Sequence, residues 1–290
     1  MPMADPHGSP DVSPPRYSGV RTFARLPQAD TGAGADVAVI GAPFDLGTSF
    51  RPGARFGPEA IRSASALLRP YDPVAEVDVL GTLRVTDCGD VTAMPGDAER
   101  GIAQLAEGLA EKAADALPLV LGGDHLVALA ELRALAARHG PLGLVLLDSH
   151  PDTWDSYNGQ RYFHGTPFRR AVEEGLLDPS RSLLAGMRGS LYGPSDWGDA
   201  RELGFELIPW QELRRLDPGD YGERARTRAG SGPALLSFDV DFVRALAGVD
   251  FRGFDVVEVS PPYDGPGQVT ALLAANVAYA MLSLAARSRS

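Results

Sequence analysis

One cysteine in 290 residues, Cys88, rules out an internal disulfide and fits a reducing cytoplasm, where its simplest role is that of a small buried hydrophobe. Basic charge is scarce too. A formal charge of −11 and a pI near 4.9 leave no electrostatic footprint for nucleic acid and suit a small cationic substrate better. No signal-peptide core opens the chain, and the longest apolar stretch, near residues 271–286, reads as too broken by polar residues to cross a bilayer. A soluble, cytoplasmic protein without a membrane partner is therefore expected. The glycine-containing segment from Gly47 to Gly53 lacks the Gly-Lys-Ser/Thr ending of a phosphate loop, which argues against nucleotide binding. Neither an internal repeat nor a Pro/Ser/Gly-rich linker interrupts the middle of the chain, so residues 35–290 read as one domain. Residues 1–34, with Pro2, Pro6, Pro10, Pro14 and Pro15 and no apolar periodicity, read as a flexible arm.

Apolar runs and helical patterns alternate along the rest of the chain. Strands are predicted at 36–43, 118–121, 142–147, 182–187, 206–209, 234–240 and 254–259. Helices are predicted from Gly57, over 101–117, over 126–139 and near 269–286. Gly57-Pro58-Glu59 places proline and an acid in a first helical turn, where spare N–H groups and the helix dipole favour both, and Gly140 supplies a stop. The alternation predicts an α/β fold, a mostly parallel doubly wound sheet with helices on both faces.

Chemistry-bearing residues cluster after these strands. Three groups of them, Gly122-Gly-Asp124-His125, Asp148-Ser-His150-Pro-Asp152 and Asp239-Val-Asp241, follow an apolar run read as a strand and so fall at the edge at which open α/β sheets bind ligands, and His164-Gly-Thr-Pro and Glu258 complete the set. If the strands continue through them, a two-residue repeat sends Asp148, His150 and Asp152 to one face, and Asp239 and Asp241 likewise. Adjacent acids repel unless a cation lies between them. Carboxylates and imidazoles together suit a pair of borderline divalent metals such as manganese, which lower the pKa of water enough for hydrolysis. Bland roles are available for some of these residues. Asp124 or His125 could cap a helix, Glu258 could pair with an arginine, and His7 and His139 read as solvated or capping.

Taken together, these residues closely resemble the ureohydrolases, the arginase and agmatinase family, and its agmatinase branch most of all. The resemblance rests on Gly41-Ala-Pro-Phe-Asp through Gly57-Pro-Glu-Ala-Ile-Arg62, Asp152-Thr-Trp-Asp155, His164-Gly-Thr-Pro-Phe168, Gly186-Met-Arg-Gly189 and Phe254-Asp-Val-Val-Glu-Val-Ser-Pro-Pro-Tyr-Asp264. It implies an arginase-like three-layer α/β/α fold, two Mn2+ per subunit, a trimer or hexamer, and hydrolysis of a guanidino compound, agmatine by default, to urea and an amine. By the same resemblance His125, Asp148, Asp152 and Asp239 hold one manganese, and His150, Asp148, Asp239 and Asp241 the other. Glu258 anchors the guanidinium, Asp152 passes a proton toward the leaving amine, and His164 acts as acid/base. Guanidinobutyrate and related guanidino acids are the competing substrates.

The chain departs from the family pattern after Asp241, where Phe242 to Arg252 leads straight into Gly253-Phe-Asp-Val-Val-Glu258 and a loop with most of a helix is missing. This shortening frames a second hypothesis, a catalytically impaired paralogue acting through binding or assembly.

Overall fold

The computed structural model describes residues 15–237 and 249–288. Its main sheet contains β1 (Val37–Ala42), β4 (Val85–Asp90), β5 (Leu117–Gly122), β6 (Gly143–Leu147), β7 (Leu183–Met187), β8 (Glu206–Pro209), β9 (Ala234–Ser237) and β10 (Phe251–Val256), in the order β4-β1-β5-β10-β9-β6-β7-β8. Every pairing within it is parallel. A separate antiparallel hairpin pairs β2 (Tyr71–Asp72) with β3 (Val77–Asp78).

All six residues of β1 are buried, because helices cover both faces of the sheet. Val37 and Val39 enter one core while Ala38 and Ile40 enter the other, as the two-residue repeat requires. The first core is closed by α1 (Gly57–Ser65), α8 (Pro218–Ala229) and α9 (Val269–Arg287). The second is closed by α3 (Ala98–Ala113), α4 (Leu126–His139) and α5 (Pro167–Glu173). The result is the three-layer α/β/α architecture expected.

Several boundaries differ from the sequence reading, each for a local reason. α3 starts at Ala98 because the Asp97 carboxylate accepts the Arg100 N–H and caps the helix there. β10 runs from Phe251 to Val256 rather than from 254 to 259, which leaves Glu258 beyond the strand. α9, judged too mixed to span a bilayer, is a 19-residue helix with a mean hydropathy of 1.8 in its most apolar window, long and apolar enough by those measures. What it covers is the sheet. Two thirds of that window is buried (67%), and the Ser283 hydroxyl donates to Asp72 at 2.9 Å.

Within the stretch read as a loose arm, Phe23 and Ala24 are buried. The Phe23 N–H donates to Asp87 Oδ2 at 2.7 Å and the Ala24 N–H to Ser65 Oγ at 2.8 Å. A lone aromatic among prolines and glycines carries no periodicity to announce this. Cys88, on β4, is buried and free, and burial pushes its thiol up to about 11.

Candidate metal centre

The four central strands, β5, β10, β9 and β6, deliver the candidate residues to one edge. After β5, Gly123 lies so close to the Phe44 backbone that any side chain would collide with it. Asp124, fully buried, accepts the N–H of Gly47 at 2.7 Å and of Leu126 at 3.0 Å. Burial, and then the nearby Glu258, raise its carboxyl to about 7. It ties the Gly47 loop to the start of α4, so of the two roles open to it Asp124 takes the cap.

His125 is the centre of the site. Its Nδ1 stands 2.7 Å from Asp152 Oδ2 and 3.2 Å from Asp148 Oδ2, and one ligand atom from each of the three residues falls within a common 4.8 Å. The ring packs edge-on against Phe168 at 5.1 Å. On the far side Nε2 lies 3.2 Å from Ser237 Oγ, which in turn donates to Asp255 Oδ1 at 2.7 Å. Burial disfavours the imidazolium, but Asp148 and Asp152 together hold the ring well above its usual value. The two acids are split. Asp148, opposed by burial, is nonetheless held below the usual range by His125, while burial and the charge of Asp148 push Asp152 up to about 6.

These positions do not arise from a two-residue strand repeat, because β6 ends at Leu147 and residues 148–152 are irregular. Asp152 adopts φ +50°, and the bend turns its carboxylate back to His125. His150 stands at the margin, its side chain 58% exposed and Nδ1 3.8 Å from Asp148 Oδ1. Asp239 and Asp241 lie outside the described residues.

Glu258 sits two residues beyond β10 at φ +62°. Its side chain is 41% exposed. Oε1 accepts the His125 N–H at 2.8 Å and lies 3.1 Å from His164 Nδ1, so its partner is a histidine and a helix N-terminus rather than an arginine. His164 Nε2 meets Ser49 Oγ at 3.3 Å. Burial works against the charged His164 ring, yet Glu258 holds its pKa above the ordinary value. A cavity of about 280 Å³ opens beside His125, Asp148 and Glu258.

The donor set suits a divalent cation. Two carboxylates aim their oxygens at an imidazole nitrogen, and among the described residues no lysine or arginine pairs with either. Mixed O/N donors of this kind match manganese or zinc.

A model of the arginase family matches residues 35–245 and 241–283, two stretches that meet at the shortened segment. The chain belongs to the arginase family. It is 42% identical to guanidinopropionase from Pseudomonas aeruginosa, over 94% of each chain. It is 39% identical to the mitochondrial agmatinase of Gallus gallus, over 92% of this chain and 86% of that one. Among solved structures, proclavaminate amidino hydrolase from Streptomyces clavuligerus superposes with a TM-score of 0.87 at 36% identity, covering 95% of this chain and 100% of that one.

Two supports of this arginase-family site escaped the sequence reading. Ser237 and Asp255 back His125 from below; an acid inside Phe254-Asp-Val-Val was the available signal, since a carboxylate in an apolar strand needs a partner. Asp155, quoted only as part of a motif, pairs with the buried Arg170 of α5 at 2.8 Å and anchors the loop that carries Asp152.

Proposed function

We propose that this protein is a binuclear manganese hydrolase that cleaves a guanidino compound to urea and an amine. The observation that carries the reading is His125 Nδ1 set between Asp148 and Asp152 at 3.2 and 2.7 Å, with no lysine or arginine paired to either acid among the described residues. His125, Asp148 and Asp152, joined by His150, Asp239 and Asp241, would hold the two ions. Bound there, the metals supply Lewis acidity and water acidic enough to act as a nucleophile near neutral pH.

The chain's own residues supply binding and proton handling. Glu258 spends Oε1 on the His125 N–H, which leaves its second oxygen to accept from a guanidinium N–H at the cavity wall, a charge-assisted contact. Asp152, beside the ions it would help to hold, is placed to pass a proton toward the leaving amine. His164, steadied by Glu258 and Ser49, holds a proton at Nδ1 or Nε2 and can deliver it to the departing amine. Agmatine is the default substrate from the sequence; the guanidinopropionase and agmatinase relatives leave both an acidic and a basic tail open.

The test is urea release by manganese-loaded protein from a panel of guanidino compounds, with bound manganese measured on the same sample. Turnover with about two ions per chain is expected. A manganese-replete protein that releases no urea from any of them would leave the binding paralogue as the better reading.

A further inference from the structure

Two polar side chains lie inside the central strands, where helices cover both faces of the sheet and apolar residues are the rule. Ser237 ends β9, Asp255 stands opposite it in register on β10, and both are fully buried. Phe254 and Val256 enter the first core, so Asp255 projects to the other face, toward α4. Its Oδ1 accepts the Ser237 hydroxyl at 2.7 Å, whereas Oδ2 has no hydrogen-bond partner among the described residues. Glu131 of α4, whose Oε1 fills the space that a side chain at Gly253 would need, feels the charge of Asp255 from the same side. A half-satisfied carboxylate beside a second buried acid costs stability, so the fold alone does not account for it. A carboxylate also has no proton to give. The 2.7 Å contact therefore commits the Ser237 hydrogen to Asp255 and leaves the lone pairs of Oγ to a donor. The group that meets them is His125 Nε2, at 3.2 Å, so Nε2 is the nitrogen that carries a proton. The opposite nitrogen, Nδ1, is the one that faces Asp148 and Asp152.

We infer that Asp255 and Ser237 are positioning residues that hold His125 with a proton on Nε2 and so turn Nδ1, the nitrogen free to take an ion, toward the two aspartates. The inference rests on the proposed function only for the ion. Both residues act through the imidazole, by fixing which nitrogen is protonated and how the ring lies. Without this anchor the ring can turn over or keep its proton on Nδ1, and either change takes a ligand atom from the centre.

Two measurements on the full chain test this. The first is the Kd for manganese, read by competition with a fluorescent chelator, beside the Tm of the metal-free protein. Ser237→Ala and Asp255→Asn should each raise Kd roughly 10- to 100-fold, the usual cost of losing a group that orients a metal ligand. Ser237→Thr keeps the hydroxyl and should stay near the wild-type value. Asp255→Asn should weaken manganese binding without lowering Tm, because it removes a buried charge that is only half satisfied; a pair serving the fold alone would lose Tm and leave Kd where it was. The second measurement is the magnetic resonance spectrum of protein labelled at the ring nitrogens of its five histidines, metal-free and loaded with zinc as a diamagnetic ion. His125 Nε2 should carry a proton protected from solvent exchange in both states, and Ser237→Ala should lose that protection. A bare Nε2, or a proton there that Ser237→Ala leaves equally protected, overturns the assignment, as does a manganese Kd that neither Ser237→Ala nor Asp255→Asn moves. A wild type that binds no manganese sinks the metal reading instead, and the spectrum of the metal-free protein then decides the assignment by itself.

Discussion

Two clusters of aspartates sit on the same edge of the sheet and differ in the cation that the chain provides. At the end of β4, Asp87 and Asp90 meet Arg62, with Nε 2.8 Å from Asp87 and Nη1 2.6 Å from Asp90. Asp87 also accepts the Phe23 and Gly89 N–H groups, so its oxygens are satisfied by the protein alone. At the end of β6, the side chains that Asp148 and Asp152 meet among the described residues are imidazoles alone, and Asp148 Oδ1 also accepts the His150 N–H. A guanidinium is a permanent charge, but an imidazole can yield its place to a metal. Where the chain supplies arginine the acids serve the fold; where it supplies histidine they await an ion.

The contrast breaks down if the two clusters respond alike to losing an acid. Asp148→Ala should lower kcat by about 10³-fold or more through loss of a metal ligand, with reduced manganese content as the accompanying measurement. Asp87→Ala should instead destabilise the protein by about 3–5 kcal/mol, because Arg62 is left buried with part of its pairing gone; denaturant unfolding reads this, and the activity of the folded fraction should persist.

A third buried acid sharpens the comparison. Glu131 on α4 is 1% exposed, and among the described residues neither of its oxygens has a hydrogen-bond partner. Burial, then the charge of Asp255, push its pKa well above the ordinary value. The folded state therefore keeps this proton to higher pH than the unfolded chain does, so stability falls as pH rises above the ordinary glutamate value of 4.5 toward the folded value. Glu131→Met should stabilise by about 1–4 kcal/mol at pH 8 and by less at pH 5; an equal gain in Tm at both would show that the carboxyl does not titrate in this way. The smallest effect belongs to Ser49→Ala. Losing one 3.3 Å contact to His164 should cost about two- to threefold in kcat, and a larger loss would make Ser49 more than a prop.

Much of this was legible in the sequence, for reasons that also explain the gaps. Strands buried on both faces are continuous apolar runs, so β1, β5, β6 and β7 stood out. β4 did not, because Val85-Thr-Asp-Cys-Gly-Asp90 is an edge strand built partly of polar residues that serve Arg62. The fold brings His125, Asp148 and Asp152 together, but the strand-face argument for Asp148, His150 and Asp152 fails once β6 ends at Leu147. Where His150 points, and how Glu258 turns back to α4, depend on left-handed or irregular backbone that no hydrophobic pattern encodes.

The strand order carries one more consequence. β10 is the last strand in sequence, yet it lies between β5 and β9, and joins a three-strand half, β4-β1-β5, to a four-strand half, β9-β6-β7-β8. His125 belongs to the first half, Asp148 and Asp152 to the second. The imidazole and these two carboxylates thus share one sheet only through the strand that the chain makes last, so the contact between them is a product of the completed fold and of no shorter stretch of the chain.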